Sequence, residues 1–420
     1  MGQGLDEPET SIMNDREGCR LFGAYRVVSS IQDAGVLIHS TAGCSWGTLA
    51  FHNPACPGEI RQGSTTLHER DLLTGGLPAL ENALTQMHTI QDTSCVFVLT
   101  GCVPEIIGDV IEPVIKNHST KERPIIGIRT PGFGGDAHKG RDDALRMLVS
   151  LMTQPERPQQ DEKIKSINII GPLADDFRIS GDIDGMRSLL GNEIRINAVI
   201  PFDTFAHICN APAADMNVVF PSFEAAGIAM KERFGIPWIS VNYPYGYTGS
   251  RTFLMEIHNA LRTFGHSNFA AGNSDKGFSK SHECIQQSYE KEIEPLYAYL
   301  QKLYAMPVAI AGDAARGPAL KRFLEREMGM LVQAFDDGSD PDGFERSFLA
   351  SNAVLLFGSS FERGVAEIKQ VPLIRFRYPV FDAVSLSPDG FTGMQGTIRL
   401  IEAILNALMS TSWRTNGAFG

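Results

Sequence analysis

The sequence contains no C-x-x-C pair and no G-x-x-x-x-G-K-[ST] loop, and it has no histidine after His282. The first absence argues against zinc ribbons and thioredoxin-like dithiol sites, and the second against ATP hydrolysis by this chain. No stretch approaches the roughly 18 uninterrupted apolar residues that a membrane-spanning helix needs. The start, from Met1 to Glu17, is polar and acidic, without the apolar centre of a signal peptide. The expectation is a cytoplasmic protein with no membrane partner. Basic runs are missing as well, beyond short groups such as Lys163-Ile164-Lys165, and the formal net charge is -12. Phosphate backbones are bound through clustered Lys and Arg, so nucleic acid is not an expected partner.

What is present is an ordinary globular composition, 43% hydrophobic and 20% charged, over 420 residues. That length points to two or three α/β-sized domains. Short apolar runs read as buried strands: Val36-Leu37-Ile38-His39, Cys95 to Thr100, and Pro124 to Ile128. They alternate with helical stretches such as Phe22 to Gln32 and Glu105 to Asn117. This alternation marks mostly parallel sheets with crossover helices. A polar stretch from Thr153 to Lys163, carrying Pro155 and Pro158, reads as a linker. The pattern restarts at Ser166 to Gly171 with a helix over Gly181 to Leu190, followed by strands at Val218 to Phe220 and Trp238 to Val241. A long amphipathic helix is expected over His282 to Tyr304. A third cycle opens at Pro307 to Gly312, with a helix over Pro318 to Met328, a strand at Ala353 to Gly358, and a closing helix over Gly396 to Leu408. The reading is α/β, with three Rossmann-like domains of mostly parallel sheet at 1–155, 164–304 and 305–420, the last including a C-terminal helical segment.

Seven cysteines in a cytoplasmic chain are thiols or metal ligands rather than disulfides. Cys44 and Cys102 each follow a glycine in a predicted loop just beyond a strand, the edge where open parallel sheets bind ligands. Cys19 lies in the N-terminal loop, ahead of the first helix. Three thiols on separate segments suit an iron–sulfur cluster, which takes Cys thiolates. Three are one short of a four-Cys set, which points to a ligand from a partner chain or to a non-Cys ligand. The alternative is that free Cys is simply a buried residue type. That reading fits Cys95, inside a strand, and Cys209 and Cys284 in the middle segment; Cys56, among prolines, also reads as structural. Trp46 and Phe51 stand near Cys44, and ordinary core packing is the default for both. Gly312-Asp-Ala-Ala-Arg-Gly317 reads as a turn rather than a phosphate loop.

Several blocks together resemble the β-type subunit of nitrogenase component 1: Cys19-Arg-Leu-Phe-Gly-Ala24, Ile38-His-Ser-Thr-Ala-Gly-Cys44, Ser64-Thr-Thr-Leu-His-Glu69 with Gly75-Gly76, Thr100-Gly-Cys-Val-Pro-Glu-Ile-Ile-Gly-Asp109, Thr130-Pro-Gly-Phe133, and Val371 to Asp382. The resemblance implies that Cys19, Cys44 and Cys102 ligate an iron–sulfur cluster shared with an α-type partner, of the eight-iron P-cluster type or a 4Fe-4S type. It implies a heterotetramer that receives electrons from an ATP-dependent iron–sulfur reductase. Where family members add an oxygen ligand, this chain reads Gly135-Asp-Ala-His138, which does not align to one residue. The family's α-type chain anchors a catalytic cofactor through a late His that this chain lacks, so no catalytic residue is expected here. Among the family's branches, reductive carbon–sulfur cleavage of methylthio-alkanes is the expected one. The competing readings are a scaffold for cofactor assembly, a dinitrogen-reducing nitrogenase β chain, and a non-metal α/β enzyme or periplasmic-type binding fold with structural thiols.

Overall fold

The computed structural model describes residues 18–50, 61–90, 92–154, 165–264, 289–291, 293–385, 387 and 389–412. Cys56, Phe51, Cys284, His282 and most of the expected 153–163 linker lie outside them. Two compact units are present: one comprises residues 18–50, 61–152 and 201–209, and the other 153–200 and 210–412 within the described ranges.

The first unit is built on strands β1 (Ala34–His39), β2 (Gln62–Ser64), β3 (Cys95–Thr100) and β4 (Ile125–Arg129), all parallel, in the order β2-β1-β3-β4. Every residue of β1 and β3 is buried, as expected of strands covered on both faces by helices. The β1–β3 register runs without a break from Ala34↔Cys95 to His39↔Thr100. Around the sheet lie α1 (Arg20–Ser29), α2 (Ala42–Ala50), α3 (Glu69–Thr74), α4 (Leu77–Ile90), α5 (Cys102–Ile107), α6 (Glu112–His118) and α7 (Ala137–Leu151). The single helix expected over Glu105 to Asn117 is two, α5 and α6. Gly108, in the left-handed region (φ 78°), caps α5, and Pro113 restarts the chain in the first turn of α6.

Helices α1 and α7 touch backbone to backbone. A Cβ built on Gly23 would lie 1.8 Å from the Ala137 carbonyl oxygen, and one on Gly140 would lie 1.8 Å from that of Arg20. Arg20 is further held to α7 by Asp143, its Nε donating at 2.8 Å. The segment 201–209, assigned from sequence to the middle of the chain, packs with this unit. Phe205 donates its N–H to Asp33, and its ring meets Phe97 edge-on with centroids 6.3 Å apart.

The second unit holds two further parallel sheets. Strands β5 (Lys165–Ile170), β6 (Ile194–Ile200), β7 (Met216–Val219) and β8 (Trp238–Ser240) run in the order β6-β5-β7-β8. Strands β9 (Pro307–Ala311), β10 (Leu331–Asp336), β11 (Leu355–Gly358) and β12 (Leu373–Arg375) run in the order β10-β9-β11-β12. The expected strands Val218 to Phe220, Trp238 to Val241, Pro307 to Gly312 and Ala353 to Gly358 correspond to β7, β8, β9 and β11. The described part of the expected His282 to Tyr304 helix is broken into the short turns Glu294–Leu296, Tyr297–Leu300 and Gln301–Leu303. A 19-residue helix, Gly246–Phe264, had no counterpart in the sequence reading.

Buried polar contacts register this unit. Arg316 of the Gly312–Gly317 turn donates to Asp176 and to the Tyr243 hydroxyl, both at 2.8 Å. Asp182 accepts the N–H groups of Phe391 and Thr392, tying the helix Ile179–Leu190 to the approach of the C-terminal helix Gly393–Ser412.

Two predictions follow from these contacts. Gly23→Ala and Gly140→Ala must push α1 off α7, and each should cost about 1–3 kcal/mol or more. Gly43→Ala, where nothing lies within 4 Å, should leave the thermal unfolding midpoint unchanged or higher. Equal midpoints for all three would contradict the contact. Burial pushes the Asp182 carboxyl up to about 6. That lies above the unfolded value of about 3.9, so the folded state holds the proton more tightly, and this contribution to stability is lost as pH rises from about 4 through about 6. Urea unfolding across that window should show a shallower loss of stability for Asp182→Asn than for the parent chain; identical slopes would exclude the assignment.

Candidate metal centre

Each of the three singled-out thiols stands at the start of a helix in the first unit. Cys19 is the residue that caps α1, Cys44 is the third residue of α2, and Cys102 is the first of α5 with Gly101 as its cap. The expected loop positions of Cys44 and Cys102 are therefore first-turn helical positions, because both helices begin almost directly after their strands.

The structure sets Cys19 and Cys102 side by side, with Cys44 near enough to act on Cys19 electrostatically. A Cβ on Gly132 would lie 3.2 Å from both the Cys19 and the Cys102 Sγ, so this glycine stands against the two thiols. Its N–H donates to the Cys102 Sγ at 3.1 Å. Gly132 opens a short 3₁₀ turn after β4, and the adjoining Thr130 hydroxyl donates to the Thr100 carbonyl at 2.9 Å. Cys19 is itself paired in an isolated antiparallel bridge with Asp136. Burial pushes the Cys19 thiol up. The N–H groups of Phe22 and Leu21 pull it down, and the neighbouring Cys102 and Cys44 thiols push it up again.

The arrangement suits an iron–sulfur group in its donor chemistry. The donors are soft thiolates, as such clusters require. The opposition of the neighbouring thiols to ionisation of Cys19 is the kind that a cationic iron core relieves. The Gly132 N–H···S bond is one of the contacts that tune such a core, and only glycine leaves the space beside both thiols open. Among the described residues, no three His, Cys, Asp or Glu side chains are arranged to hold a single metal ion. The donor chemistry of the three thiols fits an iron–sulfur group.

The neighbours complete the picture. Trp46, expected in the core, is 74% exposed, and Ile106 on α5 and Phe133 beside Gly132 are exposed as well. Asp136 is occupied in capping α7, accepting the N–H of Lys139, and His138 is bonded to Arg141. Cys95 is fully buried in β3, its thiol pushed up to about 12 by burial, in keeping with a structural role. Cys209 closes the helix Phe205–Cys209, and burial pushes its thiol up too. Sequence reasoning quoted Gly132, His39 and Asp109 inside its motif blocks without assigning them roles. A glycine repeated beside each thiol segment was the available signal.

The Val371 to Asp382 block has a structural explanation. Arg375 and Asp382 form a two-pronged pair, with Nε donating at 3.0 Å and Nη2 at 2.5 Å. Arg377 donates to the Ala311 carbonyl at 2.6 Å and to Glu362 at 3.2 Å.

Among the described residues, no helix is long and apolar enough to cross a membrane. In fold, the chain superposes on the structure described as nitrogenase Cp1 at pH 6.5 with a TM-score of 0.75, at 16% identity, covering 99% of this chain and 97% of that one. In sequence it is 30% identical over 424 residues to the nitrogenase iron-molybdenum cofactor biosynthesis protein NifE of Rippkaea orientalis, covering 94% of this chain and 86% of the relative. It is 29% identical to the NifE of Clostridium pasteurianum, covering 84% and 80% of the two chains. It is 24% identical to the nitrogenase molybdenum-iron protein beta chain of Methanococcus maripaludis, covering 98% and 97%. The profile described as nitrogenase component 1 type oxidoreductase matches residues 19–345, a span that begins at the first candidate ligand, and the chain belongs to that family.

Proposed function

We propose that this chain is the β-type subunit of a nitrogenase-like reductase and that it holds, through Cys19, Cys44 and Cys102, an iron–sulfur cluster completed by an α-type partner. The observation that carries the reading is that the Cys19 and Cys102 thiols meet at Gly132, with the Cys44 thiol close enough to act on Cys19, and that exposed apolar side chains stand near these residues in the chain. A large aromatic residue 74% exposed two positions after a ligand is costly unless a second protein covers it. When bound, a cluster of this class supplies one-electron storage at low potential. The chain's own residues would hold it by three thiolates, donate to Cys102 from Gly132 and exclude water from the sheet side. The proposed role is electron relay within a heterotetramer, from an ATP-dependent iron–sulfur reductase to a catalytic metallocofactor in the partner. The eight-iron P-cluster type and the 4Fe-4S type both fit three thiolates per chain. The proposed substrate class, resting on the sequence resemblance, is the methylthio-alkanes, cleaved reductively at carbon–sulfur bonds.

A second reading is favoured by the names of two matched relatives, both cofactor biosynthesis proteins. In that case the same thiols would serve a scaffold for cofactor assembly. The two readings part on turnover: the anaerobically purified complex, given the reductase and ATP, reduces methylthio-alkanes or dinitrogen under the first and neither under the second.

In the same preparation, Cys44→Ala and Cys102→Ala should lose most of the cluster's iron and its spectroscopic signal. Cys209→Ser should keep both, apart from a packing loss of about 1 kcal/mol. Unchanged iron in both ligand variants would refute the site. Trp46→Glu should weaken association with the partner by about 2 kcal/mol or more while leaving the thermal midpoint of the isolated chain in place. Sedimentation that shows an undiminished complex would place the interface elsewhere.

A further inference from the structure

Beside the thiols lies a buried polar pair that the ligand set does not use. His39 ends β1, and Asp109 follows the glycine cap of α5; their side chains are 0% and 5% exposed, with Nε2 3.2 Å from Oδ2. The hydroxyl of Thr65 stands 3.2 Å from the other ring nitrogen, Nδ1, and accepts the N–H of Ser40 at 3.1 Å. Asp109 accepts the N–H of Gly76 on both oxygens, at 3.2 and 3.1 Å. A Cβ on Gly76 would fall 2.6 Å from Asp109 Oδ2 and 3.1 Å from His39 Cε1, so only glycine admits this contact. A carboxylate can only accept, which assigns a ring proton to Nε2, while the Thr65 hydroxyl can donate to Nδ1 or to the Ser40 carbonyl, each at 3.2 Å. Burial holds the imidazole below its ordinary range, against the raising effect of Asp109 and of Glu105 nearby. A neutral ring leaves the Asp109 charge uncancelled inside the unit.

The pair joins the two ligand segments. From His39 the chain runs through Ser40 and Thr41 into α2 and Cys44, while the His39 carbonyl accepts the N–H of Gly101, the residue before Cys102. Asp109 holds the far end of α5, its N–H donating to the Pro104 carbonyl at 3.0 Å. Loss of the pair would free the Cys44 segment to move relative to α5 and would change the buried charge at that sheet edge.

We infer that His39 and Asp109 are positioning residues for the cluster proposed above, setting the spacing between the Cys44 segment and the Cys102 helix and supplying a buried negative charge that lowers the reduction potential there. The inference rests on that cluster reading.

The test uses the full-length tagged chain with its copurifying partner, purified anaerobically, with iron determined per complex and the midpoint potential taken from a redox titration followed by electron paramagnetic resonance. Asp109→Asn keeps the shape and removes the charge; it should retain iron and shift the midpoint to a less negative value. His39→Ala should lose iron several-fold, and His39→Gln, which can donate to Asp109 and accept from Thr65, should recover much of it. If the alanine variant fails to fold, the Asp109→Asn potential decides alone. A midpoint unmoved in Asp109→Asn, or iron equal to the parent in His39→Ala, would overturn the proposal. A parent complex without iron would bring down the cluster reading itself, and this inference with it, a result distinct from either of those.

Discussion

The unbroken parallel pairing of β1 with β3 is the constraint on which the candidate centre depends. His39 stands opposite Thr100 at the ends of the two strands, so both segments leave the sheet on the same edge and at the same height. Cys44 and Cys102 follow from that register, a few residues along each exit. The ladder is held by backbone hydrogen bonds inside a completely buried apolar layer, and a slip of one residue would turn every side chain to the opposite face. The geometry of the thiols is thus secured by the part of the unit least able to change.

The third thiol arrives by another route. Cys19 belongs to no strand; it is delivered by α1, whose place is set by glycine-to-backbone contact with α7 and by the Arg20–Asp143 pair. The turn after β4 then inserts Gly132 against Cys19 and Cys102. The candidate centre has a hydrogen-bonded base, and the exposed apolar side chains Trp46, Ile106 and Phe133 lie close along the chain to Cys44, Cys102 and Gly132.

The second unit uses polar groups differently. Arg316 with Asp176, Arg377 with Glu362, and Asp182 with the Phe391–Thr392 backbone are buried or nearly so, and the first and last of these join segments more than 100 residues apart. Buried ion pairs contribute little net stability, since desolvation offsets attraction, but an unpaired partner left behind is costly. Their effect is to specify one arrangement of loops. The Gly312–Gly317 turn belongs to this class, its arginine spent on registration within the fold.

Much of the architecture was legible from residue order alone. Apolar runs such as Cys95 to Thr100 are buried on both faces wherever they fold, so their strand character and parallel setting follow from composition and length. The three thiols were legible as candidates because each stands beside a glycine at a predicted element boundary. Less visible were β2, β6, β10 and β12, whose mixed polar faces give no continuous apolar signal, and the split of α5 from α6, which turns on one left-handed glycine. The Gly23–Ala137 and Gly140–Arg20 contacts, the placement of Gly132 between two sulfurs, and the His39–Asp109–Gly76 network are products of tertiary structure, for each joins residues from 30 to more than 100 positions apart. Sequence determined which segments would be strands and which residues carry soft donors, because those properties are local. Only the packed chain decided that Cys19 and Cys102 meet at Gly132, because distance between remote residues is set by sheet register and helix contact, and neither is written in any one segment.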